Sequence, residues 1–176
     1  MAKNYVIIGG GPAGVGAVSS LRQADPEGAV TLLSAEKRPF YSRIRLPEYL
    51  AGKIGAGDLV IRSREWFEER RVELRLSTPV EGLDTASRTV TLFSGEVLSY
   101  DALLLATGAR ASIPPFPGRD LDGVISIRTV EDTEILASLA VDAKGLVAIG
   151  GGVLGLEMAA ALRALGPSVT VVEIFP

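Results

Sequence analysis

The 176 residues carry 18 lysines and arginines against 21 aspartates and glutamates, a formal net charge of −3, and 47% of them are hydrophobic. That composition suits a soluble globular protein with room for one core or two small ones, and its interspersed charges offer no basic face to nucleic acid or an anionic membrane. Cysteine and histidine are both absent, which excludes disulfides, thiolate nucleophiles, iron–sulfur ligation, most zinc sites and imidazole bases from these residues, so no metal site is expected.

Asn4 to Gly9 reads as a buried parallel strand, apolar at Val6, Ile7 and Ile8, and Pro12 to Gln23 continues as a helix with Val15, Val18 and Leu21 on one side. Met1 to Asn4 lead straight into that strand with no signal peptide, and no apolar run reaches the roughly 18 to 20 residues of a membrane span, so a cytoplasmic location is expected. Asp25-Pro-Glu-Gly28 makes a turn, and Ala29 to Leu33 is a second apolar strand, closing a βαβ unit whose crossover should be right-handed. Residues 35 to 60 are irregular, with a short helical piece near Pro47 to Ala51. Ser63 is expected to cap a helix through about Arg70. Glu73 to Ser77, Val80 to Asp84, Thr89 to Phe93 and Glu96 to Ser99 then read as short antiparallel strands.

Asp101 to Ala106, "DALLLA", returns to a buried strand that stops at Thr107-Gly108. The three prolines of "ARASIPPFPG", residues 109 to 118, cannot donate to a ladder and mark a connector. A helix follows over Thr129 to Leu139, opening on Thr129 with Asp132 three residues on, a capping-box pattern with Asp in place of the usual, longer Glu. After it the opening pattern recurs as "GLVAIGGGVLGLEMAAALRALGPSVTVVE", with Gly150 lying 150 − 9 = 141 residues beyond Gly9. A repeat that long is no solenoid and suits two copies of a nucleotide-binding unit.

Gly9-x-Gly11-x-x-Gly14 and Gly150-x-Gly152-x-x-Gly155 each follow a strand and open a helix. In such a corner the first glycine allows the tight turn, the second admits a pyrophosphate to the backbone, and the third lets helix pack on strand. The amides of the helix start then hold the phosphate charge. Either corner alone also suits a ligand-free turn; two in one chain favour dinucleotides. Each copy should end its second strand with an acid for the adenosine ribose. Glu173 does so, 173 − 155 = 18 residues after the last glycine. The first copy ends its strand at Ser34 with the acid at Glu36, so either the two share the ribose or Glu36 alone reaches back. Glu173 would repel a 2′-phosphate, which favours NAD over NADP.

These stretches, with "PFYSRIRLPEYLAG" and "YDALLLATGA", resemble the FAD-dependent pyridine nucleotide-disulfide oxidoreductase family across the whole chain. The branch is that of rubredoxin reductases, ferredoxin reductases, nitrite reductase flavin subunits and apoptosis-inducing factor. The resemblance implies an α/β fold of two Rossmann-like dinucleotide-binding units (the FAD/NAD(P)-binding fold), the second incomplete, with a small antiparallel β-meander. It implies an FAD-binding domain over residues 1–110 and a linker plus the start of an NAD-binding domain over 111–176. On FAD it places Gly9, Gly11, Pro12, Ala13, Gly14, Ser34, Glu36, Lys37, Arg43, Val80, Ala106, Thr107 and Gly108, and on NAD Gly150, Gly152, Gly155 and Glu173. Tyr41, Trp66 and Phe67 are assigned to packing.

Glu157 matches a family glutamate near the flavin N5 and is the candidate catalytic residue. Its usual lysine partner is replaced by Glu48, so either Arg45 substitutes or Glu48 turns away. The implied activity is hydride transfer from NADH to FAD, with electrons passing to a rubredoxin, a ferredoxin, a nitrite reductase module or a small acceptor, and without active-site cysteines. A redox sensor or scaffold without turnover, and a thiol-independent NADH oxidase, stand as alternatives. Oligomeric state is open, a homodimer included. Because the second unit stops two strands into its sheet, the sequence is expected to be the N-terminal part of a longer protein.

Overall fold

The computed structural model describes residues 2–174. Its helices are α1 (Pro12–Ala24), α2 (Leu46–Leu50), α3 (Arg64–Glu68), α4 (Val130–Val141) and α5 (Val153–Ala164). Its strands are β1 (Asn4–Ile8), β2 (Ala29–Leu33), β3 (Val72–Arg75), β4 (Val80–Asp84), β5 (Thr89–Leu92), β6 (Val97–Ser99), β7 (Ala102–Leu105), β8 (Gly145–Ile149) and β9 (Ser168–Val172). They form two compact units, one of the residues up to Tyr41 with Val60–Ala109, the other of Ser42–Leu59 with the residues from Arg110 on. The fold is α/β, a parallel sheet joined by an antiparallel one, as expected.

The first unit is built on a parallel sheet of order β3-β2-β1-β7. Successive side chains of a strand point to opposite faces, so an apolar run has to be covered twice. Ile7, Val30 and Leu32 bury one face with Val15 and Val18 of α1, Phe67 of α3 and Val72. Val6 and Leu33 bury the other with Val90 and Leu92 of the antiparallel meander β4-β5-β6. Burying each such side chain contributes about 1.5–3 kcal/mol.

Polar ties close the layer ends. The Arg22 guanidinium donates to the carbonyls of Gly28 and Arg71 at 2.7 and 2.8 Å and to those of Asp25 and Arg70. It thereby satisfies acceptors in the turns that lead into β2 and into β3. Asp25 accepts from Gly28 N–H at 2.9 Å and from the Tyr5 hydroxyl at 3.0 Å. The Tyr5 hydroxyl first, then the Gly28 amide, hold its carboxyl below the usual range.

Three local expectations change. The segment expected as an antiparallel strand over Glu73 to Ser77 is β3, Val72–Arg75, and it runs parallel to β2. Its V-E-L-R alternation is that of a sheet edge with one face on α3, and alternation alone carries no strand direction. Ser63 takes the extended N-cap conformation of α3 but makes no side-chain cap bond; its hydroxyl instead donates to the Glu65 carboxylate, lowering that acid's pKa. The "DALLLA" strand is not buried: Leu104 and Leu105 are 38% and 60% exposed, and Tyr5, Ala17, Leu21 and Leu104 line an open apolar groove beside α1.

In the second unit β8 and β9 pair in parallel from Gly145↔Ser168 to Ile149↔Val172. Leu146 and Val169 pack on Leu136 and Ala140 of α4, Met158, Ala161 and Leu162 of α5, and Leu50 of α2. The opposite face leaves Val147 and Ile149 open. α4 starts on a complete capping box, with Asp132 N–H donating to Thr129 Oγ1 at 3.1 Å and Thr129 N–H to Asp132 Oδ2 at 2.8 Å. The short aspartate therefore suffices where glutamate is usual.

Two outcomes are expected. Leu32→Ala, at a fully buried strand position, lowers the unfolding free energy by about 2–5 kcal/mol in urea titration. The Arg75 guanidinium grips both oxygens of Glu96 at 2.8 and 2.5 Å and holds that carboxyl below its ordinary value. A depressed carboxylate adds stability that is present above its unfolded value, about 4.3, and is lost as pH falls through the folded one. Glu96→Gln therefore lowers the melting temperature at neutral pH, and the gap to the parent closes as the medium is acidified below the ordinary carboxylate range.

Candidate functional site

At the end of β1 the chain turns sharply at Gly9, whose φ of +120° disfavours any residue with a side chain. Its N–H donates to Leu33 O at 2.8 Å, and a Cβ there would lie 2.0 Å from Ala106 O. A Cβ on Gly14 would lie 2.0 Å from Gly9 O. These two glycines let three backbones converge: turn, helix and β7. Gly11 differs, since a Cβ on it would meet nothing within 4 Å. It is the N-cap of α1, without a side-chain cap and followed by Pro12 at the first position, and no acid occupies the first turn. Helix-start amides around Ala13, beside open space, suit an anion.

Behind this corner lie the residues expected for the ribose and adenine. Ser34 is 6% exposed and packs under Gly10, whose Cβ would come within 3.2 Å of the Ser34 hydroxyl. Glu36 N–H donates to Ser34 Oγ at 3.2 Å, and the Tyr41 hydroxyl donates to Glu36 Oε2 at 2.7 Å. Ser77 N–H donates to Glu36 O and Thr78 N–H to Ser34 O, at 2.9 and 2.8 Å, so the loop leading to Val80 runs alongside. Val80 opens β4 next to a bulge. Ala106 N–H donates to Ile8 O at 2.8 Å, which sets Thr107 and Gly108 at the same strand ends as Gly9. Lys37 is exposed in the loop. Arg43 belongs to the second unit, in a 3₁₀ turn over Arg43–Arg45.

The second corner repeats the geometry. Gly150 has φ +109°, its N–H donates to Val172 O at 2.8 Å, and a Cβ on Gly155 would lie 2.4 Å from Gly150 O. Gly152, like Gly11, faces open space at a helix N-cap. Glu173 stands where Ser34 does in the first copy, and its carboxylate accepts from Gly151 N–H and Ile174 N–H, each at 2.6 Å. Both corners thus share one geometry: a positive-φ first glycine, an open glycine at the helix N-cap and a third glycine packed on the first one's carbonyl.

The Arg45 guanidinium grips Glu48 Oε2 at 3.1 and 3.0 Å and donates to Asp58 O at 2.8 Å. The acid at the family's lysine position is therefore neutralised three residues away on the same turn of chain. Glu157 sits exposed in the first half of α5, one residue before the buried Met158. Sequence reasoning passed over Tyr41, assigned there to packing alone. Its ring is buried, and its hydroxyl reaches an acid five residues away across an irregular loop, a relation with no periodic signature. Among the described residues no cluster able to hold a metal is present, and no helix is long and apolar enough to cross a membrane.

Residues 3–176 match the family model described as pyridine nucleotide-disulphide oxidoreductase. The chain is 37% identical over 175 residues to nitrite reductase [NAD(P)H] of Bacillus subtilis (strain 168), covering 99% of itself and 22% of that protein. It is 40% identical over 171 residues to rhodocoxin reductase of Rhodococcus erythropolis, covering 97% of itself and 40% of the relative. Among solved structures, the ferredoxin reductase for the CYP199A2 system of Rhodopseudomonas palustris superposes with a TM-score of 0.88 at 36% identity, over 99% of this chain and 43% of that one. The chain thus spans less than half the length of each.

The glycines separate into structural and ligand-facing positions, and stability measurements distinguish them. Gly14→Ala is expected to cost at least about 2 kcal/mol, because its methyl meets a backbone carbonyl that cannot yield alone. Gly11→Ala, with open space and an extended backbone, is expected to stay within about 1 kcal/mol of the parent in the same denaturant titration.

Proposed function

From the premise that this chain belongs to the pyridine nucleotide-disulphide oxidoreductase family, we propose that it holds FAD at the first glycine corner and NADH at the second. It would do so within a flavoprotein reductase that delivers electrons to a small redox protein. The observation that carries this reading is the repeated corner: a positive-φ glycine, an open glycine at the helix start and a closely packed third glycine, twice in one chain. A single such corner would serve one dinucleotide, whereas hydride exchange between two needs both.

In this reading the residues divide the work by position. Gly9, Gly11, Pro12, Ala13 and Gly14 present backbone amides to the FAD pyrophosphate, and Gly150, Gly152 and Gly155 do the same for NADH. Glu36, on the main-chain support of Ser34, accepts from the adenosine ribose of FAD. Lys37 and Arg43 supply positive charge, and Val80, Ala106, Thr107 and Gly108 contribute backbone and small side chains to the cofactor's lining. Glu173 accepts from the NADH ribose and repels a 2′-phosphate, giving preference for NADH over NADPH. Bound together, the two cofactors supply hydride transfer and onward electron delivery, with no thiol required. Glu157 is the candidate catalytic carboxylate, and Arg45, steadied by Glu48, takes the place of the missing lysine as the local cation.

The acceptor class is supported by the relatives, which are named as a rhodocoxin reductase, a ferredoxin reductase and a nitrite reductase. A ferredoxin- or rubredoxin-like protein is therefore proposed as the partner, and direct reduction of oxygen as a side reaction.

An absorbance spectrum of the purified protein supplemented with FAD is expected to show bound, protein-perturbed flavin, and anaerobic NADH is expected to bleach it. Gly11→Ala is expected to weaken FAD at least roughly tenfold while leaving the fold intact, since its methyl occupies the pyrophosphate approach. Bound flavin that NADH leaves oxidised would favour a sensor without turnover; no flavin binding at saturation would refute the reading.

A further inference from the structure

The two corners differ at the ribose end. At the second, the residue following the strand is itself the acid, and the backbone amides of Gly151 and Ile174 pin the Glu173 carboxylate at 2.6 Å each. At the first, the equivalent place is filled by buried Ser34 under Gly10, and the acid comes two residues later, off the strand and in a loop. A glutamate on a loop has three rotatable side-chain bonds to order before it can bind anything, and that ordering opposes affinity.

Hydrogen bonds to main chain and carboxylate stand in for the strand. Glu36 N–H donates to Ser34 Oγ at 3.2 Å and Ser77 N–H donates to Glu36 O at 2.9 Å, and these hold the main chain. The third, from the Tyr41 hydroxyl to Glu36 Oε2 at 2.7 Å, acts on the carboxylate itself. Tyr41 is suited to this. Its side chain is 6% exposed, its backbone bridges to Val60, and the neighbouring Phe40 carbonyl accepts from Ile61 and Arg62 N–H at 2.8 and 3.1 Å. The hydroxyl is thus carried on a ring whose own position is set by packing.

We propose that Tyr41 is a positioning residue for the adenosine ribose of FAD. It fixes the plane of the Glu36 carboxylate towards the 2′- and 3′-hydroxyls, doing at the first corner what two backbone amides do for Glu173 at the second. A carboxylate has about four acceptor positions, enough to take a bond from a phenol that orients it together with bonds from a vicinal diol. The inference rests on the first corner being the FAD site.

The test is a titration of the flavin-free full chain with two probes, FAD and FAD built on 2′,3′-dideoxyadenosine, read by flavin fluorescence for the parent, Tyr41→Phe, Glu36→Ala and the double variant. Tyr41→Phe keeps the packed ring and removes only the hydroxyl. It is expected to weaken FAD about fivefold, the effect of one hydrogen bond, and to weaken the dideoxy probe less than about twofold. In the Glu36→Ala background it is expected to change FAD affinity less than about twofold, because the effect passes through the carboxylate. Equal weakening of both probes, additivity with Glu36→Ala, or no effect would overturn the proposal. So would a large fall in the melting temperature of the flavin-free Tyr41→Phe protein, which would mean that the hydroxyl holds the loop rather than the acid. A parent that binds neither probe refutes the FAD reading itself, and that result is recognised without any variant.

Discussion

The first unit depends on how closely a helix can approach the turn that precedes it. Gly9 O lies 2.0 Å from where a Cβ on Gly14 would stand, and Ala106 O lies equally near a Cβ on Gly9. Only a chain without side chains at both points lets α1 start directly at the strand ends. That close start comes without a side-chain cap and leaves open space where a Cβ on Gly11 would stand. The packing constraint and the open helix start are therefore one feature: the geometry that brings helix to strand also leaves the N-cap glycine beside free space.

The second unit reproduces this with a different balance. Gly155 again sits against Gly150 O, at 2.4 Å, but nothing described lies within 4 Å of a Cβ on Gly150, whereas Gly9 has β7 behind it. The requirement at Gly150 is the positive φ of the turn, and at Gly9 it is the turn together with a neighbouring strand. The acid also moves, from Glu173 at the end of β9 to Glu36 in the loop beyond β2, with Ser34 taking up the buried place. Burying a serine under Gly10 is tolerable because its hydroxyl has an amide to accept from; a glutamate there would bring a charge to a position that is 6% exposed.

Charge is managed locally throughout. Arg75 with Glu96, Arg45 with Glu48, and Arg22 with four carbonyls tie chain segments within each unit. Exposed ion pairs contribute little individually. Arg22 is different in kind, because its targets are main-chain carbonyls at the turns that lead into β2 and β3. The absence of cysteine and histidine narrows what these residues can do by themselves, and it accords with a protein whose chemistry would come from bound cofactors.

The sequence alone determined the two βαβ units, the glycine turns between strand and helix, the capping box at Thr129 and the antiparallel run from β4 to β6, because these follow from local rules: period, φ preference and residue spacing within about 20 positions. It did not determine that β3 joins the parallel sheet, because a four-residue alternating strand carries no mark of its direction. Nor could it show that residues 42–59 pack with those beyond 110, where Leu50 enters a core built from α4 and α5. The Tyr41–Glu36 bond was likewise invisible, since it spans an aperiodic loop. Strand direction, the company a short helix keeps and the reach of one hydroxyl are set by which distant surfaces have apolar area left to bury, and only the assembled tertiary structure decides that.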